Sequence, residues 1–448
     1  MTGSADHPID PGALIRSKGY AALLFLAAIV GIVVSLAGWL FLEVTVAIQH
    51  VVYQDLPSAL GFSPAPWWWP LPVLGLAGVP IAYAIVRLPG HGGHRPAGGL
   101  KAGPPTLPGE LPGVLLAAVA GIGLGVVLGP EAPLIALGGG LGILTVSMVR
   151  KGAPDQVRLV MAAAGSFAAI STIFGNPVIG AVIIIEAAGL GGPTLPLVLL
   201  PGLLAAGIGS VIFVGMGTAT GLSTSAYALP PLGLPVPPEL TVSDFVLAIL
   251  LAILAAVIVR IILELAWASE GMVMRRPFVL IPGAGLAVAV LAIAYARLTG
   301  EAADAVLLSG QDAMGTVVHL GPTLSVGTLA ALLLFKGVAW GISLGSFRGG
   351  PTFPAMFLGM VGGLLVANLL GASETSMIAI GVGAMTVSML RLPLSSVILA
   401  MVVTQAGLST APLIVLAVVV AYIVTELLGA RRGSAPDVPA GRGVAATG

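Results

Sequence analysis

Hydrophobic residues run in long blocks, at roughly 20–53, 69–88, 112–128, 132–149, 158–174, 177–188, 193–216, 241–268, 278–297, 323–344, 353–370, 376–390 and 393–429. A helix needs about 20 apolar residues to cross the ~30 Å hydrocarbon layer. The longer blocks therefore predict spanning helices, and those too brief to cross alone predict broken ones. The last block is long enough for two helices, divided near 407–412. Turn-rich connectors at 89–112 and 150–155 and a Pro-rich stretch at 229–239 separate the blocks. These boundaries predict a polar cytoplasmic segment over 1–18 and a membrane domain over 19–429, with halves at about 19–228 and 240–429. A polar, Gly-rich tail over 430–448 is expected to be disordered. The first apolar block is too long for a signal peptide, so no cleaved targeting sequence is expected.

Composition sharpens this into an all-α, polytopic membrane protein. Of 448 residues, 57% are apolar and only 8% charged, against about 25% charge in soluble chains. Eighteen Lys and Arg balance eighteen Asp and Glu, which leaves no basic field for nucleic acid. The lack of cysteine excludes disulfides, thiolate metal sites and thiol nucleophiles. With 63 Gly and 35 Pro, the helices should pack closely through small residues and break often, the makeup of a transporter or channel core. Basic residues gather at Arg16 and Lys18, at Arg150, Lys151 and Arg158, at Arg275 and Arg276, and at Arg431 and Arg432. By the positive-inside rule both termini are cytoplasmic and the number of crossings is even.

The chain also repeats itself. The fourteen residues from Gly129 to Gly142 lie over those from Gly350 to Gly363, with Gly, Pro, Pro, Leu, Gly and Gly coincident at six positions and an offset of 221. A further apolar helix opening on proline follows each copy by about 40 residues, at Pro177 and Pro393. Duplication of a membrane unit is the pattern of many transporters. In each copy proline precedes a run of helix formers, where its missing N–H costs nothing. The preceding blocks reach deep into the bilayer, so both helices should begin inside it. A helix start carries unpaired N–H groups and about half a positive charge, and broken backbone at that depth must line a cavity or be buried in protein. Two such starts facing one another make a dehydrated anion site. Glu131 falls in the first turn of one of them, and a charged side chain at that depth costs about 2.5 kcal/mol or more. Ionised, its carboxylate can fill the site a mobile anion would take; protonated, it can swing aside. Glu131 is therefore the candidate gate.

These residues resemble the CLC family of chloride channels and proton/chloride antiporters. Gly129-Pro130-Glu131-Ala132-Pro133 is similar to the family's Gly-x-Glu-Gly-Pro, and Gly349-Gly350-Pro351-Thr352-Phe353-Pro354 to its Gly-Gly-x-Phe-x-Pro, with Thr352 where the family has phenylalanine. Lys336, the run from Ser343 to Ser346, the segment from Pro177 to Glu186, and Arg391 to Leu394 support the match, which covers most of 74–429. The resemblance implies a homodimer in the lipid bilayer with one path per subunit for chloride or another small anion. Each subunit is then built of two inverted halves with Glu131 as the external gate. Gly129, Pro130, Ala132, Pro133, Gly349, Gly350, Thr352, Phe353 and Pro354 would surround the anion. The family's first motif, Gly-Ser-Gly-Ile-Pro, falls on Gly92-Gly93-His94-Arg95-Pro96, so Gly93 stands for the anion-coordinating serine without its hydroxyl. No aromatic follows Tyr422 to match the pore tyrosine, and Pro351 removes one N–H, leaving Thr352 and Phe353 as donors. Coupled members carry an inner Glu-Glu pair; here Glu186 is followed by Ala187. A passive channel modulated by protons is therefore favoured over a proton-coupled anion antiporter, in which Glu186 would serve as a displaced proton relay.

Other residues carry weaker chemistry. Arg260 and Glu264 lie four apart and can neutralise each other on a helix. Glu43 and Lys336 are isolated in apolar blocks, with Lys336 the better functional candidate because it precedes the second motif. His91 and His94 lack a third ligand for a metal, and Trp67, Trp68 and Trp69 suggest an interfacial belt. No cofactor is called for. Gly341-Ile342-Ser343-Leu344-Gly345 fits a Gly-x-Ser-x-Gly nucleophile turn, but only His319 of the five histidines is near it in sequence, which disfavours an intramembrane serine hydrolase.

Overall fold

A computed structural model of the chain describes residues 11–100, 103–192, 195–221, 232–237 and 239–429. Its first half contains α1 (Pro11–Ile15), α2 (Lys18–His50), α3 (Leu56–Ala59), α4 (Pro70–Arg87), α5 (Leu111–Gly123), α6 (Glu131–Val149), α7 (Asp155–Phe174), α8 (Pro177–Ala187) and α9 (Leu195–Thr220). Its second contains α10 (Val242–Val273), α11 (Pro277–Thr299), α12 (Ala313–Leu320), α13 (Val326–Ser346), α14 (Thr352–Leu370), α15 (Glu374–Leu390), α16 (Pro393–Thr404) and α17 (Gly407–Gly429). Among the described residues there is no β-strand, and ten helices are long and apolar enough to cross a membrane. The protein is a multi-pass membrane protein.

Each apolar block became a helix, and the last became two. The break falls at Gln405 and Ala406, just ahead of the expected position, because Gln405 and Gly407 both take positive φ, and Pro412 lies inside α17. A π-helical turn at Val51–Asp55 carries α2 on into α3, so one helical run covers 42 residues. The eight-residue α12 had no apolar block to announce it. Local signals set many of the boundaries. Asn176 accepts the Val178 N–H at 2.8 Å ahead of Pro177, Ser325 accepts the Thr328 N–H at 3.0 Å, and left-handed Gly175 and Gly371 end α7 and α14. Residues 1–10, 229–231, 238 and the tail from 430 lie outside the described residues, so the expectations for the two termini are not addressed; residues 232–237 of the connector are without helix, and the Pro235 carbonyl accepts the Thr375 hydroxyl at 2.7 Å.

Backbone proximity at glycine holds the core together. Gly138 of α6 lies against the Gly165 carbonyl of α7, and Gly359 of α14 lies against the Gly381 carbonyl of α15. Gly138 and Gly359 are 221 residues apart, the offset of the repeated motif. At both contacts a Cβ would run into backbone, so the helices meet through small residues as membrane packing favours. Gly359→Val should cost about 1–3 kcal/mol or more through overpacking and lower the yield and thermal midpoint of detergent-purified protein. Gly362→Ala, whose Cβ enters open space, should leave both unchanged.

Candidate functional site

Helix α5 stops at Gly123, residues 124–130 continue without helical structure, and α6 restarts at Glu131; α13 stops at Ser346 and α14 restarts at Thr352. The two interruptions meet. Gly129 donates its N–H to the Gly350 carbonyl at 2.7 Å, and Gly350 donates to the Gly129 carbonyl at 2.6 Å. The paired glycines are themselves 221 apart, equivalent positions of the repeat. No side chain fits at either. A Cβ on Gly350 would occupy the Glu131 carboxyl group, and one on Gly129 would collide with that group and approach the Phe353 ring to 2.9 Å.

Glu131 is completely buried. Its Oε1 accepts the N–H of Thr352, the first residue of α14 and its own equivalent in the repeat, and the Phe353 N–H bears on the same carboxylate. Helix α14 has no capping side chain of its own because Pro351 precedes it. Glu131 caps it from the opposite half. A carboxylate at a partly buried helix N-terminus gains up to about 2 kcal/mol, close to the minimum cost of a charge at this depth. The balance is thus fine enough for protonation or a competing anion to change it. Glu131 Oε2 and Thr352 Oγ1 are buried and have no partner. Phe353 stacks on Phe174, ring centroids 5.6 Å apart.

The nine residues expected around the anion at 129, 130, 132, 133, 349, 350 and 352–354 come together with Glu131 in this buried zone. Their donors are fewer than the motif implied, because the Gly129 and Gly350 N–H groups are used in their mutual bridge and Pro130, Pro133 and Pro354 have none. Thr352 and Phe353, with the first-turn N–H of Ala132, are the groups a helix start leaves free. Gly93 is held differently. It sits in a turn at φ 95°, its N–H is donated to the Gly90 carbonyl at 2.8 Å, and a Cβ there would meet Val114 at 3.2 Å. It offers an ion neither hydroxyl nor free amide.

Glu186 lies elsewhere, at the end of α8. Its carboxylate accepts the Leu394 N–H at 2.8 Å, the Ser395 N–H at 2.7 Å and the Ser395 hydroxyl at 2.6 Å, capping α16. Lys336 also does not face the centre. Its Nζ donates to the carbonyls of Ala305, Val306, Leu307 and Leu308 at 2.9–3.3 Å and stands 4.5 Å from the Phe357 ring, clamping a loop whose Leu308 N–H reaches the Gly125 carbonyl. Arg260 does donate to Glu264. His91 and His94 hydrogen-bond the carbonyls of Ile85 and Gly99 at 3.0 and 2.7 Å; burial pushes the His94 imidazole below its usual range. Ser343 is buried and accepts the Val127 N–H at 3.4 Å, while His319 is exposed on α12. Trp69 donates to the Val52 carbonyl, and Arg297 lies over the Trp67 ring.

Arg348, buried directly before Gly349, escaped the sequence reading. Its signal was present: a lone arginine inside an apolar motif.

Two interrupted helices meeting at a buried acid define a membrane protein of the ion-transport kind, and residues 90–426 match the family described as voltage gated chloride channel. The chain belongs to that family, whose members carry anions. It is 27% identical over 370 residues to a protein named for ion transport, YfeO of Salmonella newport (strain SL254), a match covering 78% of this chain and 82% of that protein. YfeO of Escherichia coli O139:H28 is 25% identical over 358 residues, covering 78% and 80%. Among solved structures, a slow cyanobacterial Cl−/H+ antiporter superposes with TM-score 0.72 at 19% identity over 91% of this chain and 95% of that one. A CLC-type fluoride/proton antiporter gives 0.66 at 18% over 91% and 96%. At these identities the superpositions establish the fold.

Glu186→Ala should lower stability by about 1 kcal/mol, the usual worth of a helix cap, and Glu186→Gln, which keeps an acceptor, should lose less; thermal unfolding in detergent measures both.

Proposed function

We propose that this chain forms a passive path for small anions, chloride foremost, opened by protonation of Glu131. The observation that carries this reading is the Glu131 carboxylate bonded to the first N–H of α14, completely buried, with one oxygen unpaired. An ionised carboxylate there is a tethered anion in the place a mobile one would take. A proton removes its charge and its attraction to the helix start, and chloride then replaces it on the Thr352 and Phe353 amides. Flux therefore rises as pH falls. Ala187 in place of a second inner acid, and the use of Glu186 as a cap, support passive conduction over obligatory exchange. Both termini face the cytoplasm in this reading, and the working unit is a homodimer with one path per subunit.

A coupled proton/anion exchange is the second reading, favoured by the antiporter names of two structures that share the fold. In that case Glu186 would have to release its cap to carry protons.

Proteoliposome chloride efflux with simultaneous pH recording separates the two. The wild type should pass chloride faster at acidic pH without stoichiometric proton movement, and Glu131→Gln should flatten the pH dependence. Fixed-ratio proton counter-transport would overturn passive conduction; an unchanged pH profile in Glu131→Gln would remove Glu131 as the gate.

A further inference from the structure

The connection between α13 and α14 holds a buried cation with an unfilled hydrogen-bonding group. Arg348 is 6% exposed. Its Nε donates to the His91 carbonyl at 3.3 Å and its Nη1 to the Phe347 carbonyl at 3.0 Å, and Nη2 has no acceptor among the described residues. It forms no ion pair there either. Glu270, whose charge it feels, is 3.2 Å from Arg95 instead. Unlike Glu131 Oε2, Nη2 is not among the sealed unpaired atoms and stays open to small species from outside, and Arg348 contrasts with Lys336, which has four carbonyl partners.

Position gives this charge a use. Arg348 is two residues from Gly350, which pairs with Gly129, and four from Thr352, which holds Glu131. Its side chain lies against the turn at 89–93: a Cβ on Gly92 would meet its Cγ at 3.2 Å, so glycine there leaves it room. Gly93 in the same turn lacks the hydroxyl and the free amide that an anion would need. Glu270, in the last turn of α10, and Arg95, its ion-pair partner, are the charges that act on Arg348. A guanidinium presents planar donors to anions and stays charged, and a positive group in a low-dielectric cleft raises the local anion concentration.

We propose that Arg348 forms a separate subsite for a small monovalent inorganic anion, between the 89–93 turn and the 347–351 connection, on the route to the Glu131 centre. The proposal rests on the anion-path reading above. Nη2 donates to the ion, which supplies the missing counter-charge, and the ion then moves along the 347–352 backbone to the α14 start. Glu270 competes with the ion for the same positive field.

The test is isothermal titration of the detergent-purified full chain with chloride, paired with chloride efflux from proteoliposomes. Arg348→Gln should weaken chloride binding by about tenfold, the scale of losing one nearby charge, while the pH response carried by Glu131 persists. Arg348→Lys should recover most of the affinity, which a purely structural tie to the His91 carbonyl would not require. Glu270→Gln leaves Arg348 in place and should tighten chloride binding several-fold, so it decides the matter if Arg348→Gln does not fold. Unchanged affinity in folded Arg348→Gln, or in Glu270→Gln, overturns the subsite. A wild-type chain that moves no small anion overturns the anion path itself, a failure distinct from an active chain whose affinity ignores Arg348.

Discussion

The reciprocal hydrogen bonds between Gly129 and Gly350 are the constraint on which the rest of the centre depends. They join the two interrupted backbones at equivalent positions of the repeat, so α6 and α14 must begin side by side. Backbone polar groups inside a membrane have to be paired, and each interruption satisfies the other. The pairing also explains both glycines, since a side chain at either would take the volume of the Glu131 carboxyl group. Proline at 130 and 351 starts each helix without a side-chain cap, which leaves the α14 amides for Glu131.

The duplicated unit is symmetric in backbone and asymmetric in chemistry. Glu131 and Thr352 occupy equivalent positions, yet one carries the acid and the other provides the amide that binds it. A carboxylate in both places would set two anions against each other; a hydroxyl in both would leave no group to take up a proton. The buried cations divide in the same way. Lys336 is satisfied by carbonyls and braces the loop leading to Gly125, whereas Arg348 keeps a free donor beside the centre. Burial alone does not give a charged group a role; what remains unpaired after burial does.

Much of the fold was legible along the chain. Apolar blocks became helices nearly one for one because block length against bilayer thickness is a one-dimensional measurement. Positive φ at Gln405 moved the last break by a few residues, and α12 went unseen because eight residues are too few to form a block. Within the site, the repeat identified Glu131 and the α14 start, since helix starts and membrane acids are written locally. The state of Gly93 was not legible for the opposite reason: its amide is used by a turn, and the motif contains no record of that bond.

By itself, then, the sequence determined that this is a membrane protein of duplicated, broken helices with Glu131 at the start of one repeated helix, because hydropathy, proline placement and repeat spacing are properties of neighbouring residues. Only the tertiary structure decided that the Glu131 carboxylate rests on the Thr352 amide across 221 residues, that Glu186 caps α16, and that Lys336 and Arg348 differ in what they leave unpaired. Those outcomes turn on which distant carbonyl or N–H comes within 3 Å or so of a charged group, and the order of residues along a chain does not contain that distance.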